Sequence, residues 1–555
     1  MIDKTKRWEV LAKSPISDEK TLINLLLKNR GIESEKDKKV FFDPVDPMKI
    51  TLKSLGIKEI EVKKAITRIK KAKNKGEHVV VYGDYDADGI TGTATLWETL
   101  HNLGIFVLPH IPERFSEGYG LNLESVKKLK KEDPKLGLII TVDHGITVGE
   151  KVSELEKMGI DMIITDHHQA GKNLPKPLAL IYTTKIGGSA LSWFFSREIT
   201  KSFRFPKNKF QIQSRLELAA IGTIADQISL IGPNRSVVKY GLESLNKTKR
   251  PGLMSLFSEA RIEKIGPYEV GFIIAPRINA MGRLKHGLES LRLLCTTNKI
   301  NAARISGNIA RTNHDRQRIV EEVVNHAKKA YKNLKEKFVI VLADKNYHEG
   351  VIGLAAAKLV EEFYRPAIVL SKKGNVSKAS ARSISGFNII EAIRKLEKLY
   401  IEGGGHPMAA GFSIKTKNIK KFELEINKIA KKEISKELLQ RKIKLDAQIN
   451  FGLIDIGLIK KIKEFEPAGL GNPGPSFLSK DVEIVGFRTV GKGAKHLKLK
   501  LKQDEHIFDS IFFSGGENYP ELKKGSFIDV AYQIEENTWN GYTNIQLKIK
   551  DVRLT

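Results

Sequence analysis

The sequence predicts an α/β protein: a parallel-sheet domain, a smaller second α/β domain joined to it by a long helix, and a C-terminal all-β barrel of the OB type. Three observations predict it. Between residues 56 and 230, short β-branched runs (HVVVY, GLIITV, DMIIT, ALIY) alternate with amphipathic helical stretches, as in a sheet covered by helices. Residues 299–337 carry an apolar stripe of Val320, Val323, Val324, Ala327, Tyr331 and Leu334 with few helix breakers. After the Pro/Gly-rich EPAGLGNPGP (466–475), strand-like runs dominate, and about five strands with little helix suit a small closed barrel.

Taken in order, residues 1–55 are charged and mostly helical in pattern, with turns at RGIES and DPVDP, and read as an N-terminal helical cap. Residues 56–230 form the sheet domain, and 231–298 its helical extension. In the extension IAPRINAMGR looks turn-rich, with Arg277 and Arg283 bracketing a loop. These are either surface arginines or a phosphate clamp, because guanidinium groups grip phosphate in bidentate fashion. Residues 299–337 are the connecting helix, and 338–440 the second α/β domain. There GGGHPMAAG (403–411) suggests a glycine-rich binding loop leading into a small-residue helix. Ser380, Arg382 and His406 are candidate phosphate or sugar contacts. Residues 441–555 are the barrel. Lys492, Lys495, Lys498 and Lys500 lie near one hairpin, and Phe487, Phe513, Tyr532, Trp539 and Tyr542 are scattered through the strands. Most of these rings belong to a core, but some could stack bases.

The chemistry concentrates at strand ends. Residues 78–92, HVVVYGDYDADGITG, end a buried strand in Asp84, Asp86 and Asp88. Three such charges repel unless cations or protons neutralise them, and hard divalent metals are the usual partners of oxygen clusters. An acidic turn capping a helix is the plain alternative. It fits less well once the other strand ends are counted: Asp143 and His144 follow GLIITV, Asp166, His167 and His168 follow DMIIT, and Asp226 ends LELAAIGTIAD. In open α/β sheets such ends are where sites form. The mixed carboxylate–imidazole set suits Mn²⁺ or Mg²⁺, and the histidine tilts the choice towards Mn²⁺. Lys+Arg 94 against Asp+Glu 65 gives a net charge of +29, which favours a polyanionic partner, nucleic acid above all. Acidic metal ligands in a basic chain point to phosphoester chemistry. The single cysteine, Cys295, excludes an intramolecular disulfide and argues against a thiolate zinc site. No apolar run is long enough to span a bilayer, so no membrane association and a cytoplasmic location are expected.

DYDADG (84–89), TVDHG (141–145), TDHH (165–168) and GTIAD (222–226) resemble the four motifs of the DHH phosphoesterase superfamily. IPERFSEGYGLN, APRINAMGR, ARSISGFN, GGGHPMAAG and EPAGLGNPGP are similar to those of the RecJ single-strand-specific exonucleases, and the likeness runs from RGIES to the C-terminus. The resemblance implies a DHH domain, a connecting helix, a DHHA1 domain and an OB-fold. It implies two divalent ions held by Asp86, Asp88, Asp143, His167 and Asp226, with Asp143 between them and Asp84 as a further acid. His168 would face the scissile phosphate. Arg114, Tyr119, Arg277, Arg283, Ser380 and Arg382 would contact the DNA or its 5′ end, and Gly404, Gly405 and His406 would hold substrate from the DHHA1 side. The implied activity is 5′→3′ digestion of single-stranded DNA to 5′-mononucleotides, in DNA repair and recombination, with a single-strand-binding protein and a helicase as partners. A phosphodiesterase for short oligonucleotides or cyclic dinucleotides, or a non-catalytic replication scaffold, are the rival readings; the intact acids speak against the scaffold. The chain departs from the pattern at Tyr82, where many relatives carry histidine, and after TDHH, where IYTTKIGGSALSW replaces an Asn-Pro loop.

Overall fold

A computed structural model describes residues 6–203, 212–330, 337–516, 522–539 and 542–555. The chain divides into two compact units: Leu27–Asn313 with Lys460–Gly474, and Met1–Leu26 with His314–Ile459 and Pro475–Thr555. The described residues open on a strand, β1 (Arg7–Val10), ahead of the helices Glu19–Lys28 and Glu35–Phe42 that the helical pattern of this segment suggested. Its partner is a strand more than 400 residues later, so no local signal could reveal it.

In the Leu27–Asn313 unit, α1 (Glu59–Lys75) starts with Glu59 and Glu61 and ends with Lys73 and Lys75, matching the helix dipole, and stops at Gly76 with φ of 65°. Then come β2 (His78–Gly83), α2 (Ala87–Asn102), β3 (Val107–His110), β4 (Leu136–Val142), β5 (Asp161–Asp166), β6 (Ala179–Tyr182), α3 (Gly188–Ser202) and α4 (Leu216–Ala225). The five strands are all parallel, in the order β3-β2-β4-β5-β6. Every residue of β4 is buried, as a strand covered on both faces must be. One face packs Val79, Val81, Leu138 and Ile140 against Leu191, Phe194 and Phe195 of α3. The other packs Val80, Tyr82 and Ile139 against Val126, Val152 and Leu155. The motif segments therefore leave the carboxyl ends of β2, β4 and β5 side by side.

IAPRINAMGR is helical rather than a loop. A π-turn at Glu269–Ile274 runs into α5 (Ala275–Leu284), whose Pro276 sits in the first turn, where its missing N–H costs nothing. The Pro/Gly-rich segment is held to this unit by buried hydrogen bonds. Arg235, 1% exposed, donates to the carbonyls of Phe465 (3.0 Å), Glu464 (2.9 Å) and Glu466 (2.8 Å), and Arg30 Nε donates to Asn472 Oδ1 at 2.8 Å.

The long helix is α6 (Lys299–Ala330), and the division between the units falls within it. Val323, Val324 and Ala327 of its stripe are buried, while Tyr331 and Leu334 lie outside the described residues. The next sheet comprises β7 (Ile340–Asp344), β8 (Ala367–Lys373), β9 (Val376–Arg382), β10 (Tyr400–His406) and β11 (Ala409–Lys415), ordered β10-β11-β9-β8-β7, with α7 (Ile352–Phe363) against β8 and β9. The glycine-rich run is thus an exposed edge strand in an antiparallel hairpin, not a loop before a helix. Its small residues let Gly403–His406 pair closely with Ala409–Phe412.

β1 pairs in parallel with β12 (Lys442–Leu445), followed by β13 (Ala447–Gln448). Then β14 (Phe477–Val490), β15 (His496–Gln503), β16 (His506–Phe512), β17 (Phe527–Trp539) and β18 (Tyr542–Leu554) close into the expected barrel, β14-β15-β16-β18-β17, with β17 returning to β14. Tyr532 is core, its hydroxyl 2.8 Å from Ser479 Oγ. Phe487 is half-buried, and Phe513 is exposed beside Lys548 and His496. The side chains of Trp539 and Tyr542 lie outside the described residues. Among the described residues no helix is long and apolar enough to cross a membrane.

Candidate metal centre

Seven acid and imidazole side chains meet at the tips of β2, β4 and β5. Asp84 follows β2, and Asp86 caps α2, its carboxylate accepting the amides of Asp88 (2.9 Å) and Gly89 (3.1 Å). Asp88, in the first turn of α2, is 1% exposed. The amides of Gly188 (2.7 Å) and Ser189 (2.9 Å) at the start of α3 hold it. Asp143 follows β4 with a φ of 66°, a conformation that short polar residues tolerate best. His167 follows β5, its Nε2 2.9 Å from Asp143 Oδ1, 3.6 Å from Asp226 Oδ2 and 3.7 Å from Asp88 Oδ2. Three overlapping groups have ligand atoms within 4.8 Å of one another: Asp84, Asp86 and Asp143; Asp88, His167 and Asp226; Asp143, His167 and His168.

The electrostatics are those of crowded, buried anions. Burial, then the neighbouring carboxylates, hold Asp84 and Asp143 well above the usual carboxylate range. The same causes push Asp226 up to about 8. Burial draws His167 down, towards the neutral form that binds metals. Asp143 Oδ1 and His167 Nε2 are buried and have no hydrogen-bond partner. Two orphaned ligand atoms this close, ringed by carboxylates, fit a divalent cation.

His168 differs. Its Nδ1 lies 2.8 Å from Asp166 Oδ1, and that hydrogen bond lifts it to about 9. Asp166 itself also accepts the amides of Ile146 and His167, both at 2.7 Å. Around the acids stands an aromatic and basic rim. Arg114 lies over the Tyr85 ring at 4.9 Å, and Tyr119 stands 6.4 Å from Tyr85 and 6.3 Å from His168. Arg283 on α5 is close enough to act on the Tyr85 hydroxyl. Arg277 is engaged elsewhere, with Glu259 (3.3 Å) and the Ile273 carbonyl (3.1 Å).

In the other unit Arg382 donates to Ser380 Oγ at 3.2 Å on β9. Gly353 in the first turn of α7 comes so close that a Cβ there would lie 3.0 Å from Ser380 Oγ and 3.2 Å from Arg382 Nη2. Gly404, Gly405 and His406 lie along the exposed edge of the same sheet. Tyr82, the position of the expected histidine, packs into the face of the sheet opposite α3. Sequence reasoning put Asp166 at a strand end but gave it no task. It overlooked Tyr85, Asn279, whose Oδ1 accepts the Ala87 amide at 2.7 Å, and the amides of Gly188 and Ser189. For the last pair a signal was present: Gly-Gly-Ser opening an apolar helix in the segment after TDHH.

Three family models match in chain order: the DHH family N-terminal domain over 78–223, the DHHA1 domain over 335–432 and the RecJ OB domain over 445–551. The single-stranded-DNA-specific exonuclease RecJ of Bacillus subtilis (strain 168) is 32% identical over 548 residues, 96% of this chain and 68% of that protein. The chain belongs to the RecJ family. Two solved RecJ structures from Thermus thermophilus carry the likeness into three dimensions. The complex with Mn²⁺ has a TM-score of 0.82 at 29% identity, covering 100% of this chain and 80% of that one. The complex with Mg²⁺ has a TM-score of 0.74 at 27% identity, covering 99% and 79%.

Proposed function

We propose that this RecJ-family chain is a single-stranded-DNA-specific 5′→3′ exonuclease that hydrolyses phosphodiesters with divalent metal. The observation that carries the reading is the pair of buried ligand atoms, Asp143 Oδ1 and His167 Nε2, 2.9 Å apart and without a hydrogen bond, inside a shell of carboxylates. Asp84 and Asp86 on one side, and Asp88, His167 and Asp226 on the other, would each hold one of two ions, with Asp143 shared. Mn²⁺ is the better fit and Mg²⁺ the second, because one ligand is an imidazole. When bound, such ions polarise phosphoryl oxygens and lower the pKa of a water.

The protein's own groups do the rest. His168, kept protonated by Asp166, presents its other nitrogen as a cationic donor that offsets charge developing on the phosphoryl oxygens. Asp88 stays in place because two backbone amides hold it. Tyr85 and Tyr119 offer ring faces to unstacked bases, which only a single strand presents, and Arg114 and Arg283 bind its phosphates. Ser380 and Arg382, beside the first turn of α7, would bind a terminal phosphate, and 5′ polarity belongs to the same reading. Release of 5′-mononucleotides in the cytoplasm during repair and recombination, beside a single-strand-binding protein and a helicase, belongs to the same reading. The test is digestion of 5′-labelled single strands and of the matching duplex in Mn²⁺, with products resolved over time. Mononucleotides from the 5′ end of the single strand alone are expected. Equal cutting of duplex, or release from the 3′ end, overturns the reading.

A further inference from the structure

The segment between β3 and the helix Leu123–Glu132 brings Arg114 and Tyr119 to the rim, yet it has little to hold it there. Gly118 and Gly120, with φ of 80° and 78°, turn the chain sharply on either side of Tyr119, and no atom lies within 4 Å of where their Cβ atoms would be. Tyr119 is 54% exposed. Order must be imposed from elsewhere, and the bonds converge on Glu117. Its Oε1 accepts the Glu113 amide at 2.9 Å, and its Oε2 meets His110 Nε2 at 3.0 Å and the Tyr82 hydroxyl at 3.4 Å. Its carbonyl accepts Asn122 Nδ2 at 3.0 Å, and the Asn122 amide points to the Tyr82 hydroxyl at 3.4 Å. Burial opposes the charged carboxylate, but hydrogen bonds from Ser125, the Glu113 amide and His110 outweigh it and keep it ionised.

Tyr82 is fully buried, packs on His110 at 4.5 Å between ring centres, and lies two residues before Asp84. His110 ends β3, the neighbour of β2. Both ends of the loop are therefore tied, through one carboxylate, to the strand tip that carries the metal-binding acids.

We infer that Glu117, braced by Tyr82 and His110, is a positioning residue: it fixes Arg114 and Tyr119 over the metal centre and thereby sets the grip on the leading nucleotides of a single strand, taking no part in hydrolysis itself. The inference rests on the nuclease reading. The tyrosine found where many relatives carry histidine then has a task of its own, as a latch for this loop.

The test uses the full chain and compares Glu117→Ala, Glu117→Gln and Tyr82→Phe, and Glu117→Ala in an Arg114→Ala/Tyr119→Ala background. Single-strand affinity is read by fluorescence anisotropy in EDTA, Mn²⁺ affinity by calorimetry, and KM and kcat by digestion of a 5′-phosphorylated oligonucleotide. Glu117→Ala should weaken DNA binding and raise KM by about tenfold, the size of one lost base stack, with kcat and Mn²⁺ affinity nearly unchanged. Glu117→Gln, which keeps an acceptor, should recover much of the loss. In the background lacking Arg114 and Tyr119 the same change should cost nothing further, because it acts only through them. A loss that persists in that background, or a fall in kcat with KM unmoved, overturns the latch. Should Glu117→Ala fail to fold, Tyr82→Phe decides: it should weaken DNA binding in the same direction, and wild-type DNA affinity in it refutes the latch. Failure of the wild type to cut single strands would remove the nuclease reading, whereas the anisotropy measurements judge the latch separately.

Discussion

Asp143 carries three burdens at once: a left-handed backbone conformation, near-complete burial, and carboxylates on several sides. A carboxyl held above its unfolded pKa destabilises the fold once pH exceeds that unfolded value, and the penalty is relieved as pH falls through the folded value. Function, not stability, explains such a residue. Asp143→Asn keeps the shape and suits the positive φ while removing one of the crowded charges. We expect the metal-free variant to melt a few degrees above wild type at neutral pH, to lose the Mn²⁺-induced rise in Tm, and to turn over at least ~10²-fold more slowly. Thermal melts with and without Mn²⁺, beside the digestion assay, check all three. A variant that melts lower without metal yet still gains from Mn²⁺ would contradict the assignment of Asp143 as the shared ligand.

At the scale of elements, the centre exists because three helices approach one another almost without clearance. A Cβ on Gly222 of α4 would overlap both Asp88 Oδ1 and Ser189 Oγ. A Cβ on Gly188 would sit 2.5 Å from Asp143 Oδ1. Gly222 thus belongs to the site although it bears no ligand atom. Gly222→Ala should push Asp88 off the amides of Gly188 and Ser189. Overpacking of this kind costs about 1–3 kcal/mol, so a lower Tm should accompany Mn²⁺ affinity weakened at least tenfold. Calorimetry with Mn²⁺ reads the second effect directly, and wild-type affinity in a destabilised variant would show that α4 supplies packing alone.

On the scale of the whole molecule, a net charge of +29 has to be assigned to surfaces. On β15, Leu497, Leu499 and Leu501 point inward, so Lys498 and Lys500 alternate outward. Lys498 stands opposite Arg488, and Lys500 opposite Gly486. Removing residues 441–555 is a poor way to test this face. It would also strip Arg235 of the Glu464, Phe465 and Glu466 carbonyls, and an uncompensated buried charge costs about 3–5 kcal/mol. Lys498→Gln with Lys500→Gln leaves the fold alone. If each lysine neutralises one phosphate of a single strand, the plot of log affinity against log salt should become shallower by about 1.4. An unchanged slope in anisotropy titrations would exclude Lys498 and Lys500 from DNA binding.

Local pattern by itself determined the parallel sheet, the long helix, the barrel and the set of acids and histidines at the strand tips. Alternation of β-branched and amphipathic runs, and charges that end buried strands, are properties of neighbouring residues. Tertiary structure decided the rest. APRINAMGR is helix because its apolar positions, Ile278 and Met281, find a core that no local window reveals. GGGH is a strand because β11 lies beside it, and β1 is a strand because residues 442–445 do. Asp166, the Gly188 and Ser189 amides and Glu117 matter through partners 20, 100 and 35 residues away. A hydrogen bond of that reach leaves no periodicity in the chain, so only the folded structure can show which carboxylate binds and which one holds another group in place.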